Sequence, residues 1–144
     1  GVLYNWPAAM AGSASSKANP RGVQGVCPAG WHLPSDAEWT ELTEYLGGIS
    51  VAGGKLKETG TTHWQSPNTG ATNETGFTAL PGGNRDLSGY FFYIGDLGNW
   101  WSATEFSTDY DLDAWDRGVG YDGSTVSRAD GELEHGFSVR CVRD

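Results

Sequence analysis

The chain has little cysteine, little positive charge and no long apolar run. Its 144 residues include two cysteines, and nine Lys and Arg stand against 18 Asp and Glu, for a formal net charge of −9. The excess of acids argues against nucleic-acid binding, because a phosphate backbone would be repelled. No apolar run approaches the roughly 18 residues of a membrane-spanning helix, so membrane insertion is not expected.

Glycine and large aromatic residues are abundant instead. The chain contains 22 Gly, 7 Trp, 6 Tyr and 5 Phe. Its length fits one domain, residues 1–144, with a sizeable core. Many small polar residues and few lysines favour a loop-rich β or α+β fold, in which aromatic rings fill the space between irregular segments. The chain starts without Met and without a signal-peptide pattern, so we expect a domain excised or processed from a longer protein.

The two cysteines lie near the two ends of the chain. Cys27 precedes a predicted helix, and Cys141 falls in the last strand-like run. A disulfide between them would close nearly the whole chain into one loop, for which chain-entropy arguments give roughly 4–5 kcal/mol. Two free thiols in a reduced cytosolic domain are the alternative. We favour the disulfide because the composition is typical of extracellular proteins.

The clearest predicted element is one main helix. Residues 35–38 form a capping box in which Ser35 and Glu38 satisfy each other's backbone N–H groups. Two glycines at positions 47 and 48 are predicted to end the helix. Apolar side chains recur between them at helical spacing, at Trp39, Leu42, Tyr45 and Leu46.

The other predicted elements are short. Residues 1–6 are predicted as a strand, 7–10 as a brief helix, and 11–26 as a surface loop. Residues 49–75 are predicted as mostly loop, with an extended piece at 54–57. Strand-like runs follow at 77–80, 90–94, 100–104, 115–121, 125–128 and 137–142. This pattern predicts an α+β fold, with the helix packed on short antiparallel strands.

Two local details refine this prediction. The pair Asp122-Gly123 is a hairpin-turn signal between two of the strands. In the last strand, alternation places Phe137, Val139 and Cys141 on one face, which we expect to point inward.

Five segments carry the pattern of a known family across essentially the whole chain. They are Cys27-Pro28-Ala29-Gly30-Trp31-His32-Leu33-Pro34-Ser35-Asp36-Ala37-Glu38-Trp39, Gly53-Gly54-Lys55-Leu56-Lys57, Gly76-Phe77-Thr78-Ala79-Leu80-Pro81-Gly82-Gly83, Trp100-Trp101-Ser102-Ala103-Thr104-Glu105 and Gly136-Phe137-Ser138-Val139-Arg140-Cys141-Val142. The chain resembles the Fibrobacter succinogenes major paralogous domain, and its helix start is similar to that of the formylglycine-generating sulfatase-modifying group. The resemblance implies a C-type-lectin-like fold with paired N- and C-terminal strands and a disulfide from the first helix to the last strand. It also implies a surface or secreted bacterial module, while family members have mostly unassigned biochemical roles.

The residues do not favour an enzyme. The formylglycine-forming relatives need a redox cysteine pair near the C-terminus, where this chain has only Cys141. The iron-dependent relatives need a histidine cluster, whereas His32, His63 and His135 are scattered singly. No nucleophile-elbow pattern supports a Ser–His–Asp triad. We therefore expect no catalysis and no required cofactor, with His32 buried in a structural role and His63 in a loop that could contact a ligand.

An acidic stretch is the best metal candidate. Asp109, Asp111 and Asp113 alternate along the chain and could gather carboxylates around Ca²⁺, which takes about six to eight oxygens. The Gly and terminal Glu of an EF-hand loop are missing, as are the sugar-holding pairs of calcium-dependent C-type lectins. A solvated acidic edge that opposes aggregation is the alternative, and we favour it over a specific Ca²⁺ site.

The predicted ligand-binding face is the segment 108–134, which displays side chains in lectin-like folds of this wider group. Nine acids and two arginines lie between Glu105 and Glu134, with aromatic rings among them. Carboxylates beside an aromatic ring suit a glycan site, and the same composition suits a protein-binding surface. The predicted ligand-binding residues are Asp109, Tyr110, Asp111, Asp113, Trp115, Asp116, Arg117, Tyr121, Asp122 and Ser124.

Several of these side chains have a structural alternative. Trp101 and one neighbouring tryptophan are expected in the core, because strand alternation buries one of two adjacent residues. One or two of Phe91, Phe92 and Tyr93 should face inward for the same reason, with Tyr93 or Phe91 exposed. Arg117 and Arg140 suit neutralisation of the acidic face as well as ligand contact.

Together these features predict a non-enzymatic recognition module on or outside a bacterial cell. It would bind a carbohydrate or a surface protein, for example as the tip of an adhesin. A self-associating domain of a larger surface protein, forming homo-oligomers through the parent chain, is the alternative. A formylglycine-generating-like enzyme is the least favoured reading.

Overall fold

The computed structural model describes residues 1–107 and 112–144. Over these ranges the chain is mixed α/β, with few helices and small antiparallel sheets. The helices are α1 (Trp6–Met10), α2 (Asp36–Tyr45) and α3 (Ile49–Leu56). The strands are β1 (Trp31–His32), β2 (Asn84–Arg85), β3 (Phe91–Phe92), β4 (Leu97–Ser107), β5 (Leu112–Gly120), β6 (Val126–Glu132) and β7 (Val142–Arg143).

The sheet β4-β5-β6 is antiparallel and carries a hydrophobic core on each face. Trp101 is fully buried in one core, with Met10 and Phe137. Trp100 is 7% exposed in the other core, with Trp39. The prediction that Trp101 and one neighbour are core residues is confirmed. Both members of the adjacent pair are buried because both faces of the sheet are covered.

The two predicted helices form where their caps indicate. The capping box between Ser35 and Glu38 is present, and α2 begins at the next residue. Its Trp39 and Leu46 are buried, but the prediction of Tyr45 on the apolar face is wrong, since that side chain is 86% exposed. Ahead of α1, the predicted strand at 1–6 is wrong in extent: only Tyr4 pairs, in a single bridge to Phe137.

The prediction of a loop over 49–75 with an extended piece at 54–57 is also wrong, because α3 spans Ile49–Leu56. Glycines at 53 and 54 disfavour a helix on propensity alone. Here they let α3 approach its neighbours closely. A Cβ on Gly53 would lie 2.6 Å from the Thr125 carbonyl oxygen, and one on Gly54 would lie 2.3 Å from that of Gly70. Tertiary packing therefore overrides the local preference.

The predicted strands at 77–80 and 137–142 are mostly irregular. Ala79 forms one bridge, to Lys57, and ladder pairing at the C-terminus begins only at Val142, opposite β1. The inward face of the last segment is confirmed: Phe137 is buried, and Val139 and Cys141 pack against the same core.

The predicted disulfide is present. Cys27 and Cys141 are joined at an S–S distance of 2.09 Å, so neither thiol is free. The bond ties the loop ahead of α2 to the C-terminal segment. Among the helices that the structure describes, none is long and apolar enough to cross a bilayer.

Candidate functional site

The predicted ligand-binding segment is divided by the structure. Asp109, Tyr110 and Asp111, two of which were the metal candidates, lie outside the described residues. Asp113, the third metal candidate, is half-buried on β5 opposite Phe106. Across the described ranges, no group of three or more His, Cys, Asp or Glu could hold a metal ion.

Asp116 and Arg117 were expected on an exposed face, and that placement is wrong. Both are 3% exposed, because β5 is covered on both sides. Arg117 Nη2 lies 2.8 Å from the Asp36 carboxylate and donates to the Thr40 hydroxyl. These contacts join β5 to α2, so Arg117 is a structural residue.

Arg128 covers one face of the Trp115 ring, so that face is not free to pack against a sugar. The Arg128 guanidinium carbon lies 3.5 Å from the Trp115 ring centroid, and its nitrogens donate to Asp36 at 2.9 Å. Burial alone would raise the pKa of Asp36, but the hydrogen bonds from Arg128 and Arg117 lower it. Asp36 therefore stays charged between two arginines, and Trp115 belongs to this cluster.

Asp116 lies on the other face of β5, where it has few polar neighbours. Burial raises its pKa to about 7, although an Asn99 amide at 3.5 Å and the charge of Arg117 act to lower it. A buried carboxyl group of this kind titrates near neutrality.

The remaining predicted ligand residues surround a buried lysine. Lys57 is fully buried, and its Nζ donates to the carbonyl oxygens of Thr69, Gly120 and Gly123 at 3.0, 2.8 and 2.8 Å. Tyr121, expected to be displayed, packs against the core instead. The predicted Asp122-Gly123 turn does connect β5 to β6, with Asp122 exposed and Ser124 half-buried.

A concavity lies outside the predicted ligand-binding segment 108–134, between residues that are distant in sequence. It has a volume of about 740 Å³, in the range of small-ligand sites. Its walls come from residues 62–63, 77–82 and 138–140, with Ile94 and Trp100. We call it the Arg140 groove. A second concavity of about 410 Å³ shares Phe77 and Arg140 with it and continues to α2, where exposed Tyr45 lines it.

Arg140 stands where the two concavities meet. Its guanidinium carbon lies 4.2 Å from the Phe77 ring centroid, and the Phe77 ring meets Trp100 edge-on at 5.9 Å. The neighbouring Cys141 disulfide and two backbone hydrogen bonds between Ser138 and β4 hold the segment in place. Burial lowers the pKa of Arg140. Among the ion pairs and side-chain hydrogen bonds of the described residues, none involves this guanidinium.

One wall of the groove has a strained backbone. Thr78 has a φ of 55°, an uncommon conformation for a β-branched residue. It is stabilised by Asn73, whose side chain accepts from the Thr78 N–H at 2.8 Å and donates to its hydroxyl at 3.0 Å. Backbone strain of this kind concentrates at functional sites.

The rim of the groove continues into an exposed apolar loop. We call residues 87–94 the aromatic loop; it surrounds β3, which pairs with β2 over only two residues. The prediction that one or two of Phe91, Phe92 and Tyr93 face inward is wrong, since they are 60%, 45% and 54% exposed. Ile94 is 71% exposed and also lines the groove.

Residues 1–143 match the sequence model of the Fibrobacter succinogenes major domain. The chain belongs to this family. No curated protein and no solved structure matches it.

The histidines of this major domain remain separate. His32 is buried, as predicted, with one ring nitrogen 2.7 Å from Asp144 and the other 3.0 Å from Glu38. His63 is exposed on the wall of the Arg140 groove and contacts Glu58 at 2.8 Å. His63 was expected in a loop where it could meet a ligand, and its place on the groove is consistent with that expectation.

Sequence reasoning on this major domain missed the Arg140 groove because its walls meet only in three dimensions. One local signal was available. Residues 90–94 are five consecutive large apolar residues between two glycines, which is too short and too isolated to build a buried strand. Ligand contact by Arg140 was one of two expected roles, but nothing in the sequence placed it beside Phe77.

Proposed function

We propose that this major domain is a non-enzymatic recognition module on or outside the bacterial cell, and that it binds a protein partner through the Arg140 groove and the aromatic loop. One observation carries the proposal. Six large apolar side chains within eight consecutive residues, Leu87, Tyr90, Phe91, Phe92, Tyr93 and Ile94, are 45–71% exposed. Extended exposed apolar surfaces of this kind mark interaction sites.

The lining of the groove favours a protein segment over a carbohydrate. Its described walls contain apolar groups, hydroxyls, His63 and Arg140, but no Asp, Glu, Asn or Gln. Those four residue types supply most of the paired hydrogen bonds that sugar hydroxyls require. An extended segment with apolar side chains matches the groove better, and its backbone needs only a few polar partners.

Two structural features support the placement and the fold class within this proposal. A disulfide is typical of extracellular and periplasmic proteins, which supports a role at the cell surface, such as the tip of an adhesin. The C-type-lectin-like fold is supported by pairing between the two ends of the chain, at Tyr4 with Phe137 and at β1 with β7. Self-association through the aromatic loop is the second candidate, because the same exposed surface would bind a second copy.

The test uses a random dodecapeptide library displayed on phage, selected on the wild-type domain and on a Phe91→Ser/Tyr93→Ser variant. A matched control is Ile49→Ser, which removes a 60% exposed apolar side chain from α3. We expect peptides that bind the wild type and the control and lose binding to the double variant.

A glycan array with and without Ca²⁺, and sedimentation at rising concentration, complete the set. Glycan hits that survive the double substitution, with no enriched peptide and no self-association, would refute the proposal.

A further inference from the structure

Building on the proposed function, we infer that Arg140 binds an acidic side chain of the partner, an Asp or Glu flanked by apolar residues. The guanidinium stands at the junction of two concavities, over Phe77, with no ion-pair partner among the described residues. The charged group of the partner would therefore occupy the middle of the bound segment.

The electrostatic setting of Arg140 differs from that of the other buried arginine. Arg117 is paired with Asp36 at 2.8 Å, as the cost of burying a charge requires. Arg140 is half-buried over the Phe77 ring in a chain of net charge −9, and among the described residues it forms no ion pair, although Glu38 and Glu41 line the smaller concavity. Partial desolvation strengthens any ion pair that a ligand supplies.

The chemistry of the guanidinium selects a carboxylate. A guanidinium that lies over a ring keeps N–H groups on its edge, and these donate in parallel to the two oxygens of a carboxylate. The Cys27–Cys141 disulfide fixes the residue next to Arg140, so the arginine is positioned before the ligand arrives. Little conformational freedom is then lost on binding.

The shape of the site favours a side chain over a chain terminus. Because the concavity of about 740 Å³ lies on one side of Arg140 and that of about 410 Å³ on the other, a peptide can continue in both directions. Leu80 and Ile94 line the first concavity, and Leu42 lines the second beside Glu38 and Glu41, so an apolar residue of the partner can fit on each side of the acid.

The experiment repeats the dodecapeptide selection on wild type, Arg140→Gln and Arg140→Glu. Arg143→Gln is the matched control, since it removes an exposed arginine three positions away. Thermal unfolding of each variant checks that the fold is retained. The best wild-type peptide is then synthesised with its acid and with Gln in its place, and both are titrated by calorimetry against all four domains.

We expect Asp or Glu to be enriched at one position between apolar residues on wild type and control. The Glu→Gln peptide should bind wild type roughly ten- to a hundredfold more weakly, and should bind Arg140→Gln about as well as the acidic peptide does. Arg140→Glu should instead select Lys or Arg at that position. Enriched peptides without an acid, or with a preference only for a free C-terminal carboxylate, would overturn the inference while leaving the proposed function standing. If no peptide distinguishes wild type from the Phe91→Ser/Tyr93→Ser variant and the domain does not self-associate, the proposed function itself fails.

Discussion

Replacing Lys57 by Met tests whether a buried ammonium group holds the β5–β6 turn to the rest of the domain. The three carbonyl oxygens that accept from Nζ lie in two segments, at Thr69 and, at the β5–β6 turn, at Gly120 and Gly123. Methionine keeps a chain of similar length but donates nothing, so the three acceptors lose their partner. Each hydrogen bond from a charged group is worth about 1.5–3 kcal/mol.

Part of this loss of stability is offset, because the methionine variant avoids the desolvation cost of a buried ammonium group. Burial lowers the pKa of Lys57, against the opposing effect of Asp122. Each acceptor left without a donor costs about 1–3 kcal/mol, so the net loss from the three is expected to be about 3–5 kcal/mol. In a domain of this size, that corresponds to a fall in melting temperature of about 10–20 °C.

The assay is urea and thermal unfolding at pH 7, followed by tryptophan fluorescence. Lys55→Met is the matched control, because Lys55 is two positions away and forms only a partly exposed pair with Glu74 at 3.1 Å. Such pairs contribute about 0–1 kcal/mol. If Lys57→Met and Lys55→Met unfold within about 1 kcal/mol of each other, the carbonyl cage does not stabilise the fold and the reasoning is refuted.

Three further substitutions probe the other internal links. Cys141→Ser should lower the free energy of unfolding by about 2–5 kcal/mol, and a melting temperature equal to that of the wild type would contradict this. Asp36→Asn should cost about 3 kcal/mol by urea unfolding, because the buried charge of Arg117 loses its partner; a loss below about 1 kcal/mol would show that Thr40 and backbone groups suffice. The pKa of Asp116 is raised from 3.8 to about 7, so its stabilising contribution is complete below pH 3.8 and is lost as pH rises through about 7. Asp116→Asn should therefore unfold at higher urea than wild type at pH 8, with the gap closing by pH 4, and a gap independent of pH would exclude this explanation.

The parts of the fold that were predicted correctly depend on local chemistry. The capping box at Ser35 needs only residues within one turn. The Asp-Gly pair correctly marked the connection between β5 and β6, although neither Asp122 nor Gly123 has the positive φ of the two-residue turn that this signal predicts. The disulfide was predictable because two cysteines allow one pairing. By contrast, α3 contains two adjacent glycines that allow it to approach Thr125 and Gly70 closely. No residue near them in sequence indicates that contact.

The candidate site was harder to predict, because polar residues have the same sequence pattern on a sheet covered on both faces as on a sheet with one exposed face. Asp116 and Arg117 are adjacent polar residues, one of which strand alternation would place on a solvated face, yet both are buried, on opposite faces of β5. The signal that separates the cases is a partner in another element, such as Asp36 for Arg117, and spacing cannot reveal it. The same limit applies to Phe77 and Arg140, which are far apart in sequence and meet in the groove.

The irregular walls of the groove acquire rigidity from single long-range links instead of from extended ladders. The Arg140 segment is held by the disulfide and by Ser138 on β4, while the Phe77 wall is held by Asn73 and by the bridge from Ala79 to Lys57. Each link fixes one wall, and Phe77 and Ala79 are held further by packing against the core. A scaffold built this way keeps its groove preformed, which is the property that recognition of a partner requires.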